Sequence, residues 1–357
     1  MSRTLFVTND FPPRVGGIET WVRQLCDELD PADVVVHTSR MAGDREYDAT
    51  LPFLVVRDPA RTLLPTRAAT ARVAETLRRT GSHRVVFGAS APLGLMAPAL
   101  RRAGARHVTA LTHGHEVWWA TVPGTRRLMR RIGDDVDELT YVSEYCRRRI
   151  APALSPQARE RFTRLVPEVD LERFRPGCGG DEVRGRWGIA EDALVVVCVG
   201  RLVRRKGQDT LVRIWPEVQQ RFPGSVLLLV GDGPDRTRLE RLVRRHRVTG
   251  SVVLTGAVPW EEVAAHFDAG DVFALPCRSR KGGLETEAFG IVYLEAAACG
   301  LVLARTGTGG AVEAIRMAQE MARDTVRDLV RERAPESVPT RRGPDLTMSV
   351  GSGPAIE

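Results

Sequence analysis

Short apolar runs alternate with longer amphipathic stretches through the first half of the chain. The longer stretches are rich in arginine and alanine and have the spacing of helices. The short runs are "TLFVTN", "VVVHT", "FLVVR", "RVVFG", "HVTALTHG" and "LTYVS". This alternation predicts strand–helix–strand units that build a parallel sheet covered by helices on both faces.

The same alternation restarts after "VPEVDLERFRPGCGG", a passage rich in proline and glycine. The later apolar runs are "LVVVCVG", "SVLLLVG", "SVVLTG" and "DVFALP". We therefore predict an α/β protein with two Rossmann-like domains, one over residues 1–170 and one over residues 171–315. Residues 316–357 are predicted to form an atypical helix followed by a disordered tail.

The loop "GRLVRRKG" follows the first predicted strand of the second domain, and loops in that position bind ligands in open α/β sheets. The chain has 52 basic residues, yet only Lys206 and Lys281 are lysine. The planar guanidinium of Arg201 and the compact ammonium of Lys206 can converge on one phosphate group. We predict that Arg201 and Lys206 form a phosphate site here. The alternative, a solvated basic start of the next helix, applies mainly to Arg204 and Arg205.

Two glycines, Gly16 and Gly17, follow the first strand in "NDFPPRVGGIETW". They would let the backbone approach an anion at the start of the next helix. The motif lacks the GxGxxG spacing of a dinucleotide site. A tight strand–helix turn without a ligand is the other interpretation.

Two carboxylates eight residues apart, Glu287 and Glu295, flank the start of a predicted helix in "ETEAFGIVYLEAAACG". The backbone N–H groups of Phe289, Gly290 and Ile291 can hold phosphate or sugar oxygens, and ionised carboxylates accept hydrogen bonds from hydroxyl groups. Glu295 lies in an otherwise apolar helix, where a carboxylate is expected to have a partner. A surface charge is the alternative for Glu295.

Two histidines and a glutamate follow a strand of the first domain in "LTHGHEVWW". Either His113 or His115 could face the cleft, and a structural role is the other interpretation. Because no third ligand is identifiable beside them, no metal site is predicted.

Composition narrows the choice of partners and of compartment. The net charge of +7 favours anionic partners, but the basic residues are dispersed and aromatics make up only 6% of the chain, which disfavours nucleic acid. The six cysteines show no CxxC pair, and no apolar run approaches a membrane span, so we expect a cytoplasmic protein. The segments "TRRLMRRIGDD" and "CRRRI" lie near Trp118 and Trp119 and could dock on an anionic membrane, with solvated helix faces as the alternative.

Taken together, these motifs resemble the retaining glycosyltransferases of family 4, which have the GT-B fold of two Rossmann-like domains facing a cleft. The phrases "VTNDFPPRVGGIETWV", "HGHEVWWA", "GTRRLMRRIGD" and "ETEAFGIVYLEAAACG" are similar to those of the bacterial GDP-mannose-dependent phosphatidylinositol monomannoside mannosyltransferases. The resemblance covers residues 3–315. It makes the first domain the acceptor side and the second domain the donor side.

The resemblance also implies a role for each motif that binds the donor. Arg201 and Lys206 would bind the donor diphosphate, and Gly16 and Gly17 would close on it from the first domain. No cofactor and no metal would be required, since the donor itself is a substrate.

The remaining site residues would contact the sugars. Glu295 would hold the ribose, and Glu287 together with the backbone of residues 289–291 would hold the hydroxyls of the transferred sugar. His113 would lie beside that sugar and the reacting centre, and it aligns better than His115.

The function that the resemblance implies is transfer of mannose from GDP-mannose to the inositol 6-hydroxyl of a phosphatidylinositol mannoside, with retention, at the inner face of the cell membrane. A related transferase with another nucleotide sugar and acceptor, or a non-catalytic nucleotide or lipid binder, is the alternative. Two departures support the alternatives. The linker "VPEVDLERF" lacks the family's glycine, and the likeness fades after "GTGGAVEAI", so the second domain is expected to be incomplete.

Overall fold

The computed structural model describes residues 3–14, 16–304 and 308–321. Its first sheet has seven parallel strands in the order β3-β2-β1-β4-β5-β6-β7. The strands are β1 (Thr4–Thr8), β2 (Val34–Ser39), β3 (Leu54–Asp58), β4 (Arg84–Phe87), β5 (His107–Ala110), β6 (Glu138–Tyr141) and β7 (Phe162–Arg164). Each apolar run noted in the first half of the sequence therefore forms a strand of this sheet.

The helices that connect these strands cover both faces of the sheet. They are α1 (Gly17–Asp27), α2 (Asp44–Asp48), α3 (Arg67–Thr80), α4 (Ala97–Arg102), α5 (Glu116–Thr121), α6 (Pro123–Asp135), α7 (Glu144–Ile150) and α8 (Pro156–Glu160). Helix α3 illustrates the local rules. Its N-cap Thr66 accepts a hydrogen bond from the Ala69 N–H, and its buried positions include Val73 and Leu77, four residues apart on one face.

The second sheet has five parallel strands in the order β10-β9-β8-β11-β12. The strands are β8 (Val195–Val199), β9 (Val226–Val230), β10 (Val252–Gly256), β11 (Val272–Phe273) and β12 (Val302–Leu303). The helices are α9 (Gly180–Trp187), α10 (Gln208–Arg221), α11 (Arg236–Arg245), α12 (Trp260–Asp268) and α13 (Ile291–Ala298). Residues 311–321 are also helical.

The innermost strands of both sheets are buried, which is why they read as continuous apolar runs. All five residues of β1 are buried, and Leu5 pairs in register with Val35 on one side and Val85 on the other. In β9, Leu227, Leu228 and Leu229 are fully buried. These features confirm the predicted α/β class with two parallel sheets.

The strand orders reveal where each domain can bind a ligand. In the first sheet the chain reverses its direction of travel between β1 and β4, and in the second between β8 and β11. Such switch points leave a crevice at the carboxyl ends of the strands. The predicted site residues follow β1, β5, β8 and β11, so they lie at or next to these crevices.

The domain boundaries at residues 170 and 315 stay predictions, and the helical residues 311–321 span the second of them. The tail that the sequence predicts to be disordered lies outside the described residues from 322 onward.

Among the residues that the structure describes, no helix combines the length and the apolar character that a membrane span requires.

The packing of the second domain generates a stability prediction. Leu228→Ala removes a side chain with 0% exposure from the centre of β9, and we expect it to cost about 3 kcal/mol because a cavity remains. Leu171→Ala makes the same chemical change at 58% exposure and should cost less than about 0.5 kcal/mol. Urea unfolding midpoints measure both, and equal losses would contradict the assigned core.

Candidate functional site

Lys206 is held at the switch point of the second sheet by a tight turn after β8. The turn is the 3-10 helix Arg204–Lys206, and it passes into α10 through Gly207, whose φ is 78°. A side chain at Gly207 would also collide with the carbonyl oxygen of Pro276, which follows β11. Glycine is therefore required here by both conformation and space. The turn directs Lys206 back toward Gly200, at the end of β8.

The Lys206 ammonium and the Glu287 carboxylate form the central ion pair of the site. Lys206 Nζ lies 2.6 Å from Glu287 Oε2, and each side chain is 11% exposed. Arg205 Nη1 approaches the same oxygen at 3.3 Å, and the Cys277 thiol is 3.6 Å from it. The pair therefore joins the loop after β8 to the segment that precedes α13.

The pKa values of the two partners follow from burial and mutual attraction. Burial alone would lower the pKa of Lys206, but the Glu287 carboxylate outweighs it and the pKa is raised. Burial alone would raise the pKa of Glu287, but the charges of Lys206 and Arg205 outweigh it and the pKa is lowered. Both groups are therefore charged at neutral pH.

Arg201 lies at the mouth of the site, separate from the Lys206–Glu287 pair. It is exposed and lines a cleft of about 610 Å³, together with Arg204, Arg205 and Arg238. Its charge reaches the first domain, where burial raises the pKa of Glu19 and Arg201 is one of the groups that oppose this rise. Within the described ranges, Arg201 makes no ion pair, so its guanidinium is available to a ligand in the cleft.

Glu295 is buried on the second turn of α13, with 4% exposure. The expected partner is absent, because its carboxylate has no hydrogen bond or ion pair to another described residue. Burial raises the pKa of Glu295 to about 8, against a smaller opposing effect of the Lys206 charge. The carboxyl group is therefore protonated near neutral pH unless a ligand pairs with it.

The segment before α13 presents backbone rather than side chains. Phe289 is buried in the core, Gly290 is the N-cap of α13 with a φ of 91°, and Ile291 begins the helix. As at any helix start, the first N–H groups of α13 lack the partners that later turns have, and their predicted role toward ligand oxygens stays a prediction. Glu287 lies three residues before Gly290, so the ion pair borders this helix start.

His113 is a neutral imidazole in the loop after β5. Its Nε2–H donates a hydrogen bond to the Gly88 carbonyl oxygen after β4, and its ring meets the Trp21 ring edge-on at 5.1 Å. Burial lowers the pKa of His113. Because a carbonyl oxygen only accepts, Nε2 carries the proton and Nδ1 is left as an acceptor. His115 is exposed and bonds to Ala91 O at 3.2 Å.

Glu116 organises the loop of residues 111–115 between β5 and α5, called here the histidine loop, and the sequence did not predict this role. Its carboxylate is fully buried and accepts the N–H groups of His113 and Gly114 at 3.0 and 3.1 Å, and the Ser90 hydroxyl at 3.1 Å. The "HGHE" spacing contained the signal, since a carboxylate at a helix start can accept the N–H groups just before it.

Glu19 is a second residue that the sequence reasoning missed, and it explains Gly16. The Glu19 carboxylate folds back against the turn, and a side chain at Gly16 would collide with it. Glu19 is buried, and burial is the main reason that its pKa is raised. Gly17 has open space around it and begins α1. The pair of glycines thus forms a turn, and its predicted role toward an anion stays a prediction.

The two domains meet at Ala288, directly after Glu287. A side chain at Gly114 would collide with the Ala288 methyl group, so the histidine loop approaches this segment closely. The Ser143 hydroxyl, at the start of α7, donates to the Ala288 carbonyl oxygen at 2.6 Å. The structure therefore brings the loop of His113 beside the segment of Glu287, with Lys206 behind that segment and Arg201 at the rim.

No three His, Cys, Asp or Glu side chains cluster as metal ligands in the part of the chain that the structure describes.

The buried Glu295 carboxyl group generates a pH prediction. Its pKa in the folded protein, about 8, lies above its ordinary 4.5. The neutral group contributes stability that is complete below pH 4.5 and is lost as pH rises through 8. The free energy of unfolding of the wild type should therefore fall relative to Glu295→Gln between about pH 5 and pH 8.

Urea titrations across this pH range measure the difference, with Glu217→Gln on the exposed face of α10 as the matched control. A constant difference between the wild type and Glu295→Gln would contradict the buried, unpaired carboxyl group.

Two family models match the chain, one for each domain. "Glycosyltransferase Family 4" matches residues 15–173, and "Glycosyl transferases group 1" matches residues 180–325.

Curated proteins similar to the chain cover most of its length. A GDP-mannose-dependent alpha-(1-6)-phosphatidylinositol monomannoside mannosyltransferase of Mycolicibacterium smegmatis is 44% identical over 316 residues, covering 87% of the chain and 82% of the relative. A GDP-mannose-dependent monoacylated alpha-(1-6)-phosphatidylinositol monomannoside mannosyltransferase of Corynebacterium glutamicum is 41% identical, covering 88% of the chain and 83% of the relative.

Solved structures agree at the level of the fold. HepE from Anabaena, crystallised in complex with UDP, superposes with a TM-score of 0.70 at 17% identity, covering 92% of the chain and 90% of HepE. With the relatives and the two family models, this similarity shows that the chain belongs to the GT-B glycosyltransferases of family 4.

Proposed function

We propose that the protein transfers mannose from GDP-mannose to the inositol 6-hydroxyl of a phosphatidylinositol mannoside, with retention of configuration. The names of the two similar proteins give this donor and an acceptor of this class. The observation that carries the proposal is the largely enclosed Lys206–Glu287 pair at the switch point of the second sheet. This pair lies beside Ala288, which contacts the histidine loop.

The cations of the second domain suit a departing diphosphate. When the bond between the sugar and the diphosphate breaks, negative charge grows on the phosphate oxygens, and fixed cations stabilise it. Arg201 at the rim and Lys206 behind it would each contribute roughly 3 kcal/mol, by analogy with oxyanion donors. Lys206 has three N–H donors, so it can keep Glu287 while it binds a phosphate oxygen. No metal ion is part of the proposal.

The carboxylates and the start of α13 suit the hydroxyl groups of the donor. Glu287 is ionised and immobilised by Lys206, so it can accept from mannose hydroxyls in a fixed direction. The backbone of residues 289–291 offers N–H donors beside it. Glu295 would accept from the ribose, and Gly16 and Gly17 would close on the diphosphate from the first domain.

The proposed chemical step takes place on one face of the sugar. The acceptor oxygen bonds to the anomeric carbon as the bond from that carbon to the diphosphate oxygen breaks, and the bonding pair leaves with the diphosphate. The acceptor proton passes to a phosphate oxygen. Glu116 is occupied by three hydrogen bonds and Glu287 by Lys206, so neither is assigned as a covalent nucleophile. His113 contributes an uncharged acceptor beside the sugar.

Transfer assays with matched lysine variants test this proposal. The wild type is incubated with labelled GDP-mannose, UDP-glucose or UDP-N-acetylglucosamine and a phosphatidylinositol mannoside, and product should form from GDP-mannose. Lys206→Met should lower kcat by about 10²–10³-fold, because the leaving group loses a fixed cation. Lys281→Met alters the other lysine, which is exposed and paired with Glu285, and should stay within about twofold of the wild type.

Three outcomes would count against the assignment. Product from a UDP-sugar alone would favour a related transferase with another donor. A melting temperature that rises with GDP, without sugar release from any donor, would favour a non-catalytic binder. Near-normal turnover by a folded Lys206→Met protein would remove the central role of that ammonium.

A basic surface on α6 supports docking on an anionic membrane. Arg126, Arg127 and Arg130 line a groove of about 380 Å³. Arg126 is engaged with the Pro152 carbonyl oxygen, whereas Arg127 has no ion pair to any residue that the structure describes. Trp118 and Leu128 are exposed apolar side chains of α5 and α6. Cations beside exposed apolar groups are typical of interfacial binding.

We also propose that the protein is cytoplasmic and binds peripherally to the inner face of the cell membrane. That leaflet carries anionic lipids. The six cysteines are unpaired, as is usual in a reducing compartment.

Vesicle sedimentation tests the membrane part of the proposal. Binding should require anionic lipid and should weaken as salt rises, since exposed charges are screened. Arg127→Gln with Arg130→Gln should weaken binding by about thirtyfold, at about 1 kcal/mol for each arginine. Arg244→Gln with Arg245→Gln, an exposed pair on α11, is the control. Equal binding to neutral vesicles would contradict the proposal.

A further inference from the structure

Glu313 connects the second domain to the start of α7 and the end of β7 in the first. Its Oε2 accepts the Glu144 N–H at 2.7 Å, and its Oε1 accepts from Arg164 Nη2 at 2.7 Å. The two carboxylate oxygens are thus divided between two elements of the first domain. No role for this residue follows from the donor site described above.

The turn that leads into Glu313 is fixed to the segment before α13, at Glu287 and Ala288. The Gly310 N–H donates to the Glu287 carbonyl oxygen at 2.8 Å, and a side chain at Gly310 would collide with the Ala288 carbonyl oxygen. The Glu313 N–H in turn donates to the Gly310 carbonyl oxygen at 3.0 Å. Residues 310–313 therefore form one hydrogen-bonded turn packed against Glu287 and Ala288.

A second contact reinforces the first at the same place. Ser143, directly before Glu144, accepts the Cys146 N–H and donates its hydroxyl to the Ala288 carbonyl oxygen. The start of α7 is therefore bound at neighbouring residues by Ala288 and by Glu313. Because α7 packs on α5, which follows the histidine loop, these bonds fix the distance between His113 and Glu287.

We infer that Glu313, together with Arg164, is a positioning pair that holds the two domains in register for transfer. It touches neither donor nor acceptor, and it acts by keeping the histidine loop against the Glu287 segment. Hydrogen bonds between charged groups are among the strong ones, and misalignment of reacting groups by about 1 Å is costly in rate. The inference rests on the proposed function for its catalytic consequence.

The variants follow from the geometry. In Glu313→Gln one end of the side chain becomes an NH₂ donor, which faces either Arg164 or the Glu144 N–H, so the two bonds cannot both form. Arg164→Gln removes the partner charge. Glu320→Gln, on the same helical segment, alters an exposed glutamate that makes no ion pair to the described residues.

The expected result is a split between catalysis and donor affinity. Glu313→Gln and Arg164→Gln should each lower kcat about tenfold, while the KM for GDP-mannose and the Kd for GDP stay within about twofold. The double variant should lose no more than either single one, because the two residues act as one unit. Small-angle scattering with GDP should show a larger radius of gyration for Glu313→Gln than for Glu320→Gln.

Each remaining outcome overturns the inference. A kcat within about twofold of the wild type, additive losses in the double variant, or an unchanged radius of gyration with weaker GDP binding would assign Glu313 to donor-pocket support or to no role. If the wild type itself transfers no mannose, the proposed function fails separately. Hydrogen exchange of residues 143–150 then decides: faster exchange in Glu313→Gln than in Glu320→Gln supports the positioning pair, and equal exchange overturns it.

Discussion

The attraction between one largely enclosed ammonium and one largely enclosed carboxylate, those of Lys206 and Glu287, underlies the architecture of the donor side. Removing Glu287 would leave the enclosed Lys206 ammonium without its partner, and removing Lys206 would leave Glu287 with the more distant Arg205 alone. Either loss is more costly than losing a surface pair. The two residues are far apart in the chain, and their contact joins the loop after β8 to the segment before α13. The crevice between β8 and β11 is thereby bordered by an ion pair whose charges are already in place before a ligand arrives.

The same segment also links the two domains. Ala288 contacts Gly114 and Ser143 of the first domain, while Gly310 packs against it from the second. A residue that sits between an ion pair and a domain interface cannot move independently of either. The geometry of the cleft and the position of the ion pair therefore depend on the same few backbone groups. The histidine loop is held in place by its contact with Ala288.

Much of the fold is readable from the sequence, because burial on both faces makes each central strand a continuous apolar run. Lys206 stood out in the sequence because it is one of two lysines among 52 basic residues. The structure shows that its ammonium is enclosed beside Glu287. Other features depend on contacts over long sequence distances. Glu313 reaches Glu144 and Arg164, and no spacing rule indicates which distant N–H group a carboxylate will accept. Glu295 was expected to have a partner, but its environment favours the neutral acid instead.

The unusual lysine content also has a practical consequence for labelling. The chain has two side-chain amines, at Lys206 and Lys281, and the first is enclosed while the second is 64% exposed. Acylating reagents react only with an accessible, deprotonated amine. At mildly alkaline pH such a reagent will therefore modify Lys281 in preference to Lys206. A fluorophore carried by Lys281 would stand next to Arg280, which lines the 610 Å³ cleft.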